Sequence, residues 1–286
     1  MSKPEAVTRA ERLLGSDAES WTRVETRGYA ANEHWTVVLR NGTRAFLKHA
    51  APVAPCPQWL RDEERVYAAV AGPFMPELLA WEDADRPLLV LEDLSGARWT
   101  PPWEDGDVDA VLSALETLWS SPARAPLPSL EDRRIPSWEH VAEDPAPFLS
   151  LGVADEHWLE AALPTLVEAT ERTPLAGDAV LHCDVRSDNL CIREGHGVLF
   201  DWNHACLGNP AADLAYWLPS LHLEGGPQPD EVTDAGNDFA AYVSGFFASR
   251  AGLPPPEGAP TVRAFQLAQL RVALPWACRV HDVPGP

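Results

Sequence analysis

The chain has 286 residues, which is long enough for one large domain or for two lobes. Hydrophobic residues make up 45% of it, with 12 Trp among them, and this excludes an intrinsically disordered chain. Asp and Glu number 43 against 22 Lys and Arg, so the formal charge of −21 would repel nucleic acid and anionic membrane surfaces and excludes both as expected partners.

The clearest local pattern near the N-terminus is a β-hairpin. Strand-forming segments at 35–40 and 43–48 flank Asn41-Gly42, a dipeptide that favours the positive φ angles of a two-residue type I′ turn. Three segments precede it in chain order: a helix at 5–14, a strand at 21–27 and a loop at 28–34.

A helix and a strand follow the hairpin. Residues 58–71 carry apolar side chains at helical spacing. Glu63 falls near the centre of that apolar stripe and Glu64 nearer its edge, so we expect Glu63 to point more directly at the sheet. The apolar run 87–91 then predicts a strand that closes a first lobe near residue 94.

Helical patterns dominate from Ser95 onward, and the exception is a short strand at 179–181 followed by a small hairpin at 190–200. We therefore predict a β-rich N-lobe at 1–94 and a larger, mostly helical C-lobe at 95–286. The predicted C-lobe helices lie at 107–120, 137–142, 155–171, 210–218, 230–249 and 261–281.

Lysine is nearly absent from the chain. Of the 22 basic residues, only Lys3 and Lys48 are lysines, and Lys48 ends an apolar run in the second hairpin strand. A long charged side chain in such a place is costly unless it has a partner. Keeping an ammonium group where arginine is otherwise used indicates a need for a compact, flexible point charge.

The densest group of polar residues flanks the hairpin at 190–200. Oxygen ligands such as carboxylates and amides suit Mg²⁺, which keeps several waters and binds phosphate oxygens as well. Folding the hairpin would bring such oxygens together from its two ends. The group consists of His182, Asp184, Arg186, Asp188 and Asn189 before the hairpin, and Asp201 and Asn203 after it.

The spacing from His182 through Asp184 to Asn189 has the H-x-D-x-x-x-x-N form of kinase catalytic loops. With Lys48, Glu63 and an Asp201-Trp202 pair in the expected order, the chain resembles the aminoglycoside phosphotransferase family of kinase-like small-molecule phosphotransferases. The segment 208–215 also looks like the family's G-x-P-x-x-D-L-A helix start. The resemblance covers roughly residues 20–250.

This resemblance implies an α+β, two-lobed protein-kinase-like fold and an enzyme that uses ATP and Mg²⁺. It implies that Asp184 receives the acceptor's proton while Arg186 lies near the γ-phosphate. His182 and Asp213 would support the loop. The remaining implied roles are phosphate contact by Lys48 held by Glu63, phosphate cover by Gly28 and Asn32, adenine contact around Glu92 and Leu94, and Mg²⁺ ligation by Asn189 and Asp201.

The acceptor stays open at the level of sequence. A hydroxyl of a cationic, aminoglycoside-like antibiotic would suit the acidic chain, with resistance as the result, whereas relatives also phosphorylate choline, homoserine and sugars. A catalytically silent nucleotide-binding module is a further alternative. Residues that could line a cationic pocket, or else form a solvated acidic face and a core, are Glu224, Asp230, Glu231, Asp234, Asp238, Trp217 and Trp276.

The remaining patterns concern location and thiols. No apolar run approaches a membrane span and the N-terminus lacks the apolar core of a secretory signal, so we expect a cytoplasmic protein without membrane contact. The five cysteines lack C-x-x-C spacing and are expected to be reduced. The sequence does not indicate an oligomeric state.

Overall fold

The computed structural model describes residues 2–25, 31–256 and 259–286. The chain forms two compact units. The lobe boundary predicted after residue 94 stays a prediction, since compactness alone does not define lobes by role. The first unit comprises the described residues up to Thr100, Glu104–Leu127 and Ser187–Ala205; the second comprises Pro101–Trp103, Pro128–Arg186 and Cys206–Pro286.

The elements follow the predicted order, with three short additions where none was predicted: strands at Leu78–Glu82 and Cys206–Gly208 and a helix at Ala146–Leu149. The single helix predicted at 230–249 is wrong, because two helices at Pro229–Val232 and Ala240–Ala251 stand there, separated by a 3-10 segment at Asp234–Phe239. In chain order the elements are α1 (Glu5–Leu14), β1 (Ala18–Val24), β2 (Glu33–Leu39), β3 (Arg44–His49), α2 (Cys56–Ala69), β4 (Leu78–Glu82), β5 (Leu88–Glu92), α3 (Asp107–Trp119), α4 (Trp138–Glu143), α5 (Ala146–Leu149), α6 (Glu156–Glu171), β6 (Ala179–Leu181), β7 (Leu190–Arg193), β8 (His196–Leu199), β9 (Cys206–Gly208), α7 (Ala211–Leu223), α8 (Pro229–Val232), α9 (Ala240–Ala251) and α10 (Val262–Val280).

The first unit is built on an antiparallel sheet in the strand order β1-β2-β3-β5-β4. Alternate side chains of β3 point to opposite faces of this sheet. Ala45 and Leu47 join a buried apolar cluster with Val7 and Ala10 of α1. Lys48 points to the other face, where it meets α2. The alternation therefore separates an apolar core from a polar site.

The hairpin of β2 and β3 exists as predicted, but its turn differs from the predicted type I′. Gly42 has a φ of 88°, whereas Asn41 is not among the residues with positive φ. The Leu39 amide donates to the Thr43 carbonyl at 2.8 Å, which leaves three residues in the loop. A single left-handed glycine after a type I turn gives this longer connection. His34 consequently lies opposite Lys48, where a two-residue turn would have placed Trp35.

The second unit is mostly helical, with β6 and β9 paired as a small antiparallel sheet. Trp138, Trp217 and Trp276 are fully buried, so the two tryptophans considered for an acceptor pocket belong to the core. Among the described residues, no helix is both long and apolar enough to cross a membrane.

Candidate active site

In the first unit, Lys48 and two carboxylates form a buried ionic cluster. The Lys48 ammonium donates to both carboxylate oxygens of Glu63 at 2.7 and 2.9 Å and to Asp201 at 2.9 Å. Lys48 and Glu63 are buried, whereas the Asp201 side chain is 51% exposed. Of the two acids considered on α2, Glu63 is therefore the partner of Lys48.

The charge state of Lys48 follows from its partners. Burial alone would lower its pKa, but the carboxylates of Asp201 and Glu63 outweigh burial and raise the pKa above its ordinary value. The side chain thus stays a fixed cation at physiological pH. With two carboxylates around one ammonium, the cluster is net negative, and an anionic ligand would require further positive charge.

Asp201 is positioned by an unusual backbone and by a buried tryptophan. Its φ of 69° and ψ of 58° are left-handed, a conformation that Asp tolerates better than most residues. The next residue, Trp202, is fully buried, donates its indole N–H to the Leu199 carbonyl at 3.1 Å and packs edge-on against Phe74. This anchor fixes the backbone at the end of β8.

Asn189 precedes the same hairpin and lies at the same end of it as Asp201. Leu190 pairs with Leu199, and the Phe200 amide donates to the Asn189 carbonyl at 3.0 Å, so Asn189 and Asp201 flank one hairpin end. The described residues contain no group of three His, Cys, Asp or Glu side chains arranged for a metal. An amide oxygen and a carboxylate are nevertheless hard donors, which fits Mg²⁺ held partly by waters and phosphates.

In the second unit, the segment around Asp184 is held from α7. The Asp213 carboxylate accepts hydrogen bonds from the amides of His182 at 3.0 Å and Cys183 at 2.7 Å. The Asp184 amide donates to His182 Nδ1 at 3.3 Å, and His182 is fully buried. The Arg186 guanidinium lies 3.3 Å from the Asp184 carboxylate. His182 and Asp213 thereby fix the backbone that presents Asp184 and Arg186.

The remaining predicted site residues have different surroundings. Gly28 lies outside the described residues. Asn32 accepts a hydrogen bond from the Ala51 amide at 3.2 Å through its side-chain oxygen. The Glu92 carboxylate pairs with Arg193 of β7. Leu94 belongs to a small apolar cluster of the first unit.

His34 is a further, unpredicted neighbour of the ionic cluster. His34 lies opposite Lys48 in the register of β2 and β3 and stacks on Phe46 at a ring distance of 5.6 Å. Burial and the Lys48 charge lower the pKa of His34 to about 4, so its imidazole is neutral at physiological pH. The alternation of β3 is the available signal, but a two-residue turn, as predicted, would put Trp35 opposite Lys48 in place of His34.

Several acids considered for either a cationic pocket or a solvated acidic face have local structural partners. Asp230 forms a bidentate ion pair with Arg279 at 2.9 Å. Glu231 accepts from the Gln228 amide at 2.8 Å and so caps α8. Glu224 accepts from the Trp103 indole at 3.1 Å. These contacts give the acids a role in folding without any ligand.

The model of one protein family, described as the phosphotransferase enzyme family (APH), matches residues 25–246. The chain belongs to this family. The family predicted from the motifs is thereby confirmed, and so is the prediction of a phosphotransferase enzyme. No sequence in a search of curated proteins matches the chain significantly.

Solved structures share the fold at low sequence identity. A choline/ethanolamine kinase family protein from Mesorhizobium loti is 14% identical with a TM-score of 0.61, over 97% of this chain and 98% of that one. A candidate fructosamine-3-kinase from Thermobifida fusca YX-ER1 is 18% identical with a TM-score of 0.56, over 96% and 100% of the two chains. The predicted α+β, protein-kinase-like fold is confirmed.

Proposed function

We propose that this phosphotransferase moves the γ-phosphoryl group of ATP, with Mg²⁺, to a hydroxyl of a small molecule. The observation that carries the proposal is the buried cluster of Lys48, Glu63 and Asp201. In this cluster a buried ammonium is paired with one buried carboxylate and lies beside a second, half-exposed carboxylate. Phosphoryl transfer uses such an arrangement to contact phosphate through the ammonium and metal through the exposed carboxylate.

In the first unit, the proposed roles divide between phosphate and metal. Lys48 contacts the α- and β-phosphates, and Glu63 holds its ammonium in place. Asn189 and Asp201 supply oxygen ligands for Mg²⁺, which neutralises the charge that develops on the phosphates. Glu92 and Leu94 provide backbone contacts for adenine, and Asn32 can still donate its amide N–H groups to phosphate.

In the second unit, Asp184 orients the acceptor hydroxyl and receives its proton, while Arg186 neutralises charge on the transferred group. Two hydrogen bonds to Asp213 fix the segment that carries Asp184. The Asp184 carboxylate therefore needs little rearrangement before reaction.

For the acceptor, the formal charge of −21 favours a cationic compound of the aminoglycoside type. Asp230, Glu231 and Glu224 have local partners, which weakens the argument for a specific acidic pocket. The long-range negative field of the whole chain does not depend on such a pocket. A neutral sugar or an amino alcohol is the alternative, for which the acidity would serve solubility only.

The test is mass spectrometry of acceptor mixtures incubated with MgATP and either the native protein or Asp184→Asn. We expect phosphate on one acceptor class with the native protein, and a loss of turnover of about 10²–10⁴-fold in the variant with nucleotide binding retained. The exposed Asp178→Asn is the matched control and should keep full turnover. Equal turnover in native protein and Asp184→Asn would remove Asp184 from the reaction, and nucleotide binding without any phosphorylated acceptor would favour a silent module.

A further inference from the structure

Two cysteines of the second unit lie in direct contact. The sulfur of Cys183 is 3.2 Å from the sulfur of Cys206, closer than two unbonded sulfurs usually approach. All five cysteines of the chain are described, and all carry free thiols. Neither Cys183 nor Cys206 has a role in the proposed transfer reaction, so their juxtaposition calls for a separate explanation.

One thiol of this pair belongs to strand β9, and the other belongs to the segment that presents Asp184. Cys183 directly precedes Asp184 and has a φ of 61°, which is left-handed backbone that few non-glycine residues adopt. Its amide is held by Asp213 at 2.7 Å. Cys206 begins β9 and lies opposite Leu181 of β6. The two sulfurs therefore form a contact between β9 and Cys183, the residue directly before the proposed base Asp184.

We propose that Cys183 and Cys206 form an oxidisable dithiol, a modification site for small-molecule disulfides such as oxidised glutathione. Closing the bridge moves the backbone at Asp184 and lowers phosphoryl transfer. The effect of the bridge on phosphoryl transfer rests on the proposed function, whereas formation of the bridge does not.

The chemistry balances with one disulfide oxidant. The thiolate of Cys183 attacks one sulfur of the oxidant, forms a mixed disulfide and releases one thiolate. The thiolate of Cys206 then attacks the Cys183 sulfur and displaces the second thiolate. Two S–H bonds are lost, one S–S bond forms, and the two electrons reside in two reduced thiol molecules. Cys183 is half-buried and Cys206 fully buried, so the oxidant reaches Cys183 first.

The reaction should be slow at neutral pH. The hydrogen bond to Cys206 and burial raise the pKa of the Cys183 thiol, which lowers the fraction of the reactive thiolate. Bridge formation should therefore accelerate as pH rises from neutral, which separates this dithiol from exposed, acidic redox cysteines.

The effect on Asp184 follows from distance. A disulfide requires sulfurs about 2.05 Å apart, so the pair must close by about 1 Å from 3.2 Å. Because the Cys183 backbone is left-handed and restricted, closing the bridge strains the hydrogen bonds that Asp213 accepts from His182 and Cys183 and so shifts the peptide bond that leads to Asp184. A misplacement of about 1 Å in a catalytic group can cost about 10²-fold in rate.

The experiment exposes the full-length protein to oxidised glutathione and follows intact mass, peptide mapping and turnover. We expect a loss of about 2 Da, a peptide pair joined through Cys183 and Cys206, and a fall in turnover of up to about 10²-fold that dithiothreitol reverses. Cys206→Ser should resist both changes, as should Cys183→Ser. Cys278→Ser, which removes another buried thiol of the second unit, should behave as the native protein.

The outcomes separate the two levels of the proposal. Failure to form the bridge, in a protein that turns over acceptor, would overturn the dithiol and leave the proposed function intact. A mapped bridge with unchanged turnover would overturn the effect on Asp184. If no acceptor is phosphorylated, the mass and peptide measurements still decide whether the dithiol exists, independently of the failed function.

Discussion

At the scale of single residues, the buried charges of the first unit determine both stability and chemistry. Lys48 is surrounded by protein, and its partner Glu63 is 2% exposed. A buried ion pair contributes little net stability compared with apolar side chains, but a charge left alone after its partner is removed is strongly destabilising. Asp201 is 51% exposed, so water can solvate its carboxylate.

We therefore expect Lys48→Met to lower the free energy of unfolding by about 3–5 kcal/mol, because it leaves the Glu63 carboxylate buried without its cation. The double variant Lys48→Met/Glu63→Leu should recover more than half of this loss, although neither protein should transfer phosphate. Denaturant unfolding of the variants measures the difference.

The matched control is Lys3→Met, which breaks the ion pair of Lys3 with Glu11 at the surface. Such exposed pairs contribute at most about 1 kcal/mol. If the double variant is as unstable as Lys48→Met or more so, the loss arises from the lysine stem or from Asp201, and the unpaired charge of Glu63 is not its cause.

At the scale of elements, the close packing of the β7–β8 hairpin against α3 depends on a glycine. A Cβ atom on Gly197 would lie 2.9 Å from the Ala110 carbonyl oxygen and 3.0 Å from the Val111 Cα of α3. Backbone atoms cannot yield as a flexible side chain does. The hairpin and α3 thus pack closely only because position 197 lacks a side chain, and this packing fixes the hairpin that bears Asn189 and Asp201 at its end.

Gly197→Ala should lower the free energy of unfolding by about 1–3 kcal/mol through overpacking, and should raise the KM for MgATP because the proposed metal ligands shift with the hairpin. Gly96→Ala is the control for stability, since nothing lies within 4 Å of its added Cβ. Unfolding curves and nucleotide kinetics measure both effects. Equal stability of the two variants would show that α3 moves away without cost.

The sequence predicted the elements whose patterns are local. The apolar spacing of α2 placed Glu63 correctly, and H-x-D-x-x-x-x-N marked the segment from His182 to Asn189. Strand β9 has three residues and exists only through pairing with β6, a distant partner that no local pattern reveals. The contact of Cys183 with Cys206 depends on the same pairing. The turn at Asn41-Gly42 was misjudged because Asn-Gly also suits a longer loop with one left-handed glycine.

At the scale of the whole molecule, the charge of −21 opposes the anionic nucleotide that the proposed function requires. The ionic cluster does not reverse this field, because Glu63 and Asp201 together outweigh the single charge of Lys48. Encounter with MgATP is then slowed by repulsion at long range, and binding depends on short-range contacts with the metal and the phosphates.

Salt tests for this long-range repulsion by screening it, because the Debye length falls from about 30 Å at 0.01 M salt to about 8 Å at 0.15 M. The association rate of a fluorescent MgATP analogue, measured by stopped flow, should rise severalfold over this range, whereas that of the matching nucleoside without phosphates should stay constant. The association rate of a cationic acceptor should fall over the same range, and that of a neutral acceptor should not change. A nucleotide association rate that falls with salt would mean that local positive charge outweighs the global field, and the acidity would then no longer favour a cationic acceptor.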